Sequence, residues 1–272
     1  MTRLFCLMLF GLLLGAAAGR ICRVEPRADD RVVPRESQKP SYRQPDFIEV
    51  PAVSKPDLRL VETLADIRSH ISDGGYYNDT DLVTAAHETT HGINSNIRNS
   101  HYRGSKENGF YCLGGRGVLL PEPRTTIQRV ARSVPPSLRG SVYRLYLVEQ
   151  ASGWGDRPLY LMDEWVSYTH GSMVRRELGL VRRDETVQYM MEFDVYVLEM
   201  LRCAKEDDPG YDMEPLVAFV RWNLLRSMDV YKGEEGASRV LSLLRDSSDA
   251  ESLRRFARET LGSEWCSSVM GF

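Results

Sequence analysis

Apolar residues recur at helical spacing along most of the chain. Residues 58–71 carry Leu60, Leu64 and Ile67 on one stripe, and Gly74-Gly75 closes the segment. His70 falls at the end of this helix, where it reads as a solvated cation at a helix C-terminus. Asp79 or Thr80 caps a second helix reaching about residue 97, with Leu82, Ala86, Ile93 and Ile97 on one stripe. Two short apolar runs, residues 110–113 and 118–120, flank Gly114-Gly115-Arg116-Gly117 and read as a β-hairpin. Residues 125–134 form a short helix stopped by Pro135-Pro136. Residues 137–150 place Leu138, Val142, Leu145 and Tyr146 in helical phase. Asp156 as N-cap and Pro158 in the first turn open a helix over 156–177. Residues 184–204, 213–231 and 236–261 supply the rest. The pattern predicts a mainly α (α+β) fold with a small β-hairpin or sheet and a helical C-terminal half.

The segment 184–204 is apolar on two sides and is therefore central. Asp194 lies within its stripe of Val187, Met191, Leu198 and Leu201. A carboxylate there needs a partner, either a metal-bound imidazole or an arginine in the core.

The N-terminal part of the chain differs from the rest. Residues 1–18 read as a signal peptide. Arg3 gives a positive start, an apolar run begins at Leu4, and Ala16-Ala17-Ala18 fits a small-residue cleavage site. That run is too short to span a bilayer, so no integral membrane segment is expected after cleavage. The chain is expected to be exported, either secreted or held in a periplasm or cell envelope. Residues 19–57 carry Pro26, Pro34, Pro40, Pro45, Pro51 and Pro56 among many charges and read as a linker or pro-segment. Residues 58–272 are the folded domain. Cys6 leaves with the signal peptide, and Cys22, Cys112, Cys203 and Cys266 remain. In an exported chain these four are either bridged, in up to two disulfides, or buried. The net charge of -3 with scattered arginines argues against nucleic acid as a partner.

The chemistry is concentrated in the second helix, at His87-Glu88-Thr89-Thr90-His91. Residues four apart lie one above the other on a helix, so the two imidazoles can share one zinc ion. Glu88, about 100° round, can reach a water beside it. Both histidines point away from the apolar stripe, which distinguishes them from core histidines. A catalytic zinc needs a third protein ligand and an open position. Asn94 and Ile97 stand where an extended motif would place glycine and histidine, which excludes the metzincin class. The carboxylates and imidazole further along are Glu164, Asp163, His170, Glu192 and Glu199. Asp163 and Glu164 point about 100° apart, so only one of them can be the ligand.

The pentapeptide together with Asp163-Glu164-Trp165-Val166-Ser167-Tyr168 resembles the gluzincins, the thermolysin-like clan of zinc metallopeptidases. Glu164 matches the clan's ligand glutamate and Ser167 its serine. Asp163 replaces an asparagine, and Tyr168 replaces an aspartate that supports a ligand. The resemblance implies a zincin-like domain around an active-site helix. It implies Zn2+ held by His87, His91 and Glu164, Glu88 as general base, and a peptide or protein substrate. Tyr168, Tyr160, Tyr111, His101 and His170 are the candidates to steady the oxyanion. The hairpin is a candidate edge for an extended peptide. The competing expectation is a zinc-containing binding or structural protein without turnover.

Overall fold

The computed structural model describes residues 42–71, 77, 79–101, 106–180, 185–232 and 238–272. The signal peptide, residues 19–41 with Cys22, Gly74-Gly75, Asp184 and Gly236 lie outside the described residues. In chain order the elements are β1 (Ile48–Glu49), α1 (Glu62–Ser69), α2 (Leu82–Ser100), β2 (Glu107–Tyr111), β3 (Arg116–Pro121) and α3 (Ile127–Ser133). A 3-10 turn (Pro136–Leu138) and a π-helical turn (Arg144–Glu149) lead to α4 (Ala151–Trp154), α5 (Tyr160–Glu177), α6 (Glu185–Asp207) and α7 (Met213–Tyr231). The chain ends with α8 (Ser238–Asp246), a 3-10 turn (Ser248–Ala250), α9 (Glu251–Leu261) and α10 (Ser263–Val269). The fold is mainly helical with a small antiparallel sheet and a helical C-terminal half, as the apolar pattern predicts. No helix among the described residues is long and apolar enough to cross a membrane.

The sheet has the order β1-β3-β2. Phe110 lies opposite Val118 and Tyr111 opposite Gly117. The hairpin turns at Leu113, Gly114 and Gly115, with φ of 61°, 62° and 67°, so two glycines fall where a side chain is disfavoured. Arg116 and Gly117 belong to β3 rather than to the turn. Strand β1 was not expected, since residues 42–57 read as linker. Ile48 pairs with Gly117, Val50 N–H donates to Gly115 O at 2.8 Å, and Phe47 packs edge-on against Trp222. Pairing and aromatic burial outweigh the prolines, and β1 is an edge strand, where prolines beside it cost little.

Two apolar clusters hold the elements. The larger surrounds α6, with Phe193, Val197 and Leu201 fully buried among side chains of α3, α5, α7 and α9. The smaller joins α1, α2 and the hairpin through Leu64, Ile67, Ala86, Ile93, Ile97 and Tyr111. The predicted stripes of α1 and α2 are therefore the faces that pack. The end of α1 departs from expectation, because His70 is not solvated. Its side chain is 8% exposed, and its Nδ1 lies 2.8 Å from Tyr111 Oη and 2.7 Å from Asp66 O.

Three further differences have identifiable causes. Helix α5 begins at Tyr160 rather than at 156. Asp156 is engaged at the surface by Lys106, and the first free amide of the helix, Leu159 N–H, donates to Glu122 at 3.0 Å. Residues 137–150 do not form an α-helix. Glu192 on α6 accepts from Ser141 N–H and Val142 N–H, both at 3.0 Å, and Gln150 N–H donates five residues back to Leu145 O at 2.9 Å. A Cβ at Gly140 would stand 2.0 Å from Glu192 Cδ, so a larger residue there must displace that carboxylate. The last predicted helix is broken into α8 and α9, because the buried Arg254 guanidinium takes the C-terminal carbonyls of Leu244 and Ser247 at 2.8 and 2.9 Å. Asp194 meets neither expected partner among the described residues: it accepts from Trp165 Nε1–H at 2.6 Å and Ser227 Oγ–H at 2.7 Å. Cys112, Cys203 and Cys266 are free and buried, so no disulfide joins any pair of them.

Candidate metal centre

Helix α2 is fixed at its start by Asp81, which accepts from Val83 N–H at 3.0 Å and Thr84 Oγ–H at 2.7 Å. Its buried stripe faces α1 and the hairpin, and its adjacent face meets α5. Gly171 allows the close approach: a Cβ there would lie 3.3 Å from Val83 O and 3.7 Å from His87 Cβ. The α5 residues along this seam are Asp163, Glu164, His170 and Gly171.

The seam brings together the three residues that the motifs single out. His87 Nε2 and His91 Nε2 are 3.1 Å apart, and Glu164 Oε2 lies 3.6 and 3.5 Å from them. Three corners of a tetrahedral zinc site with bonds of about 2.0–2.1 Å stand about 3.3 Å apart. The points equidistant from the three atoms begin about 2.0 Å from each in their own plane and reach about 2.1 Å on the side of an open fourth position, within the range of zinc bonds to nitrogen and oxygen. Glu164 Oε2 and His87 Nδ1 are buried with no hydrogen-bond partner among the described residues. A buried carboxylate oxygen without a donor is costly, and a cation relieves it. The donor set of two imidazoles and a carboxylate suits zinc.

The neighbouring residues set the charge. Burial would lower the His91 pKa, but the Asp163 and Glu164 carboxylates raise it well above its usual value. Burial would raise Glu164, but His91 and His87 beside it hold the carboxyl down at about 2. Glu164 is thus an anion facing the two rings. Glu88 is exposed on the open side. It lies near enough to Tyr146 and Tyr168 to disfavour their ionisation, after burial and Glu164.

The other candidates lie elsewhere or act differently. Asp163 Oδ1 accepts from His91 Nδ1 at 3.0 Å, on the far side of that ring from Glu164. His170 is fully buried, with Nδ1 3.1 Å from Thr90 Oγ, and its pKa is pushed down to about 3 by burial and by Arg226. Glu192 binds the 140–142 loop, and Glu199 pairs with Arg202 at 2.7 Å. Of the oxyanion candidates, only Tyr168 borders the trio, its ring 4.3 Å from that of His87. Tyr111 donates to Asp66 at 2.7 Å, Tyr160 lies under Arg98, and His101 folds onto Ile97 O. Ser167 is fully buried and its hydroxyl has no partner among the described residues. On the outer strand of the hairpin, part of the edge expected to receive a peptide is taken. Tyr111 N–H on β2 donates to Asn94 Oδ1 at 2.7 Å, and Gly109 is pressed against Ile97 and Arg98 of α2.

Two residues at the site were not singled out in the sequence. Tyr146, counted above only as part of an apolar stripe, places its hydroxyl 2.8 Å from that of Tyr168. The π-helical turn carries it there, and no local pattern signals that turn. Asn94 donates through Nδ2 to Asp163 Oδ1 at 2.5 Å. Its signal was a polar residue three positions after His91 on the side of α2 that meets β2. Comparisons with protein families, with curated proteins and with solved structures yield no match. The likeness to gluzincins therefore rests on the residues of the two motifs.

Proposed function

We propose that the chain is a zinc-dependent metallopeptidase that acts on peptide or protein substrates after export. The observation that carries the reading is the convergence of His87 Nε2, His91 Nε2 and Glu164 Oε2, with Glu88 exposed beside them. His87, His91 and Glu164 would hold the ion, which supplies Lewis-acid chemistry: it acidifies water and polarises a carbonyl. Glu88 follows His87 on the same helix and stays open to solvent, so it can take the proton of an attacking water and pass it to the departing amine. Asp163 holds the His91 ring by its Nδ1, and Tyr168 packs against His87, so both imidazoles are braced.

The test is the purified mature chain beside Glu88→Gln. The parent is expected to carry one zinc by elemental analysis and to cleave members of a peptide library. The variant is expected to keep the zinc and lose cleavage by about 100-fold or more. A variant as active as the parent refutes the mechanism. Zinc without cleavage in the parent favours the binding or structural reading, and absence of zinc refutes both.

A further inference from the structure

The hydrogen bonds behind His91 have a fixed direction. They begin at a backbone amide, Tyr111 N–H, which can only donate. Its acceptor, 2.7 Å away, must be the carbonyl oxygen of the Asn94 side chain, so the amide nitrogen of Asn94 faces the other way. That nitrogen can only donate, and it points at Asp163 Oδ1 at 2.5 Å. Asp163 Oδ1 is therefore an acceptor, and His91 Nδ1, 3.0 Å from the same oxygen, must be the donor. With the proton on Nδ1, the lone pair of the neutral ring sits on Nε2, which faces His87 Nε2 and Glu164 Oε2. Asn94 is fully buried and Asp163 is 6% exposed, so water does not compete for these bonds.

We infer that Asn94 is a positioning residue: it ties a hairpin backbone amide to the Asp163 carboxylate and through that carboxylate sets the ring angle of His91. The inference rests on the zinc reading above and adds to it a residue that touches neither metal nor substrate. The structural consequence is that β2, α2 and α5 are locked to one another at the ligand. Asn94 bonds β2 and α5 while sitting one helical turn from His91 on α2.

The experiment uses zinc affinity, by competition with a chromophoric chelator, and the visible spectrum of the cobalt(II)-loaded chain. Asn94→Ala is expected to weaken zinc ten- to hundredfold, the range for loss of support behind a ligand, and to alter the cobalt bands. A purely structural role would shift thermal stability but leave the cobalt bands in place. Zinc affinity within about twofold of the parent, with unchanged bands, overturns the inference. Should Asn94→Ala not fold, Asn94→Leu carries the same test, because leucine has nearly the shape of asparagine with neither donor nor acceptor; bands equal to the parent's overturn the inference. A parent chain that takes up neither metal overturns the zinc reading itself.

Discussion

Replacing Asp194 by asparagine isolates one buried carboxyl. Asp194 is 1% exposed at the meeting of α5, α6 and α7, and its two oxygens accept from Trp165 Nε1–H and Ser227 Oγ–H. Burial pushes its pKa up to about 7 from 3.8, against the smaller opposing effect of those two hydrogen bonds. In the unfolded chain the group titrates near 4. The folded chain therefore holds the proton more tightly, and the stability from this group is complete below about pH 4 and lost as pH rises toward about 7. A shift of roughly 3 units corresponds to roughly 4 kcal/mol over the whole window, of which roughly 2 to 3 kcal/mol falls between pH 5 and pH 8. Asparagine has nearly the same shape and no titration. Its carbonyl can accept from Trp165 and its amide can donate to Ser227, whose hydroxyl rotates. The melting temperatures of parent and Asp194→Asn should therefore diverge with pH. Relative to the parent, the variant gains about 5–10 °C between pH 5 and pH 8 for a domain of this size. Parallel curves, with the same offset at both pH values, would refute the argument that burial makes the folded chain hold this proton more tightly than the unfolded one.

Two further outcomes follow from packing. In Gly140→Ala the new methyl occupies the place of the Glu192 carboxylate, which accepts from Ser141, Val142, Gln188 and Tyr196. The expected loss is about 1–3 kcal/mol in urea unfolding, and a midpoint unchanged from the parent's would show that the loop does not depend on that carboxylate. Cys112, Cys203 and Cys266 are free and buried, and burial raises each thiol pKa. Without reductant, they should resist alkylation in the native chain and react in denaturant, as counted by mass spectrometry; a pair that stays unreactive in denaturant would mean a disulfide.

The faces of the helices were legible in the sequence because burial follows a period that local spacing sets. Leu64, Ile67, Ala86, Ile93 and Ile97 are buried where their stripes put them. What the spacing does not encode is which polar atoms meet across elements. The start of α5 depends on Glu122, the π-helical turn depends on Glu192, and the break between α8 and α9 depends on Arg254. Each of these is a side chain remote in sequence that satisfies backbone groups, so the local pattern continues a helix where the chain does not. His70 was misread for the same reason, since its partner Tyr111 comes from another element.

The candidate site divides along the same line. His87 and His91 needed no tertiary information, because four residues on one helix bring two imidazoles to one face. Asp163 and Glu164 could not be ranked by spacing, being neighbours about 100° apart on α5. The geometry shows why both are present. A single imidazole has two nitrogens on opposite edges, and the two carboxylates straddle His91: Asp163 at Nδ1, 3.0 Å away, and Glu164 at Nε2, 3.5 Å away. Adjacent positions on a helix diverge enough to reach both edges of one ring on the facing helix. On the zinc reading proposed above, the Asp-Glu pair would supply a brace and a ligand in two consecutive residues. Tyr168 stands where the motif that this stretch resembles has a supporting aspartate, and it packs its ring on His87 instead.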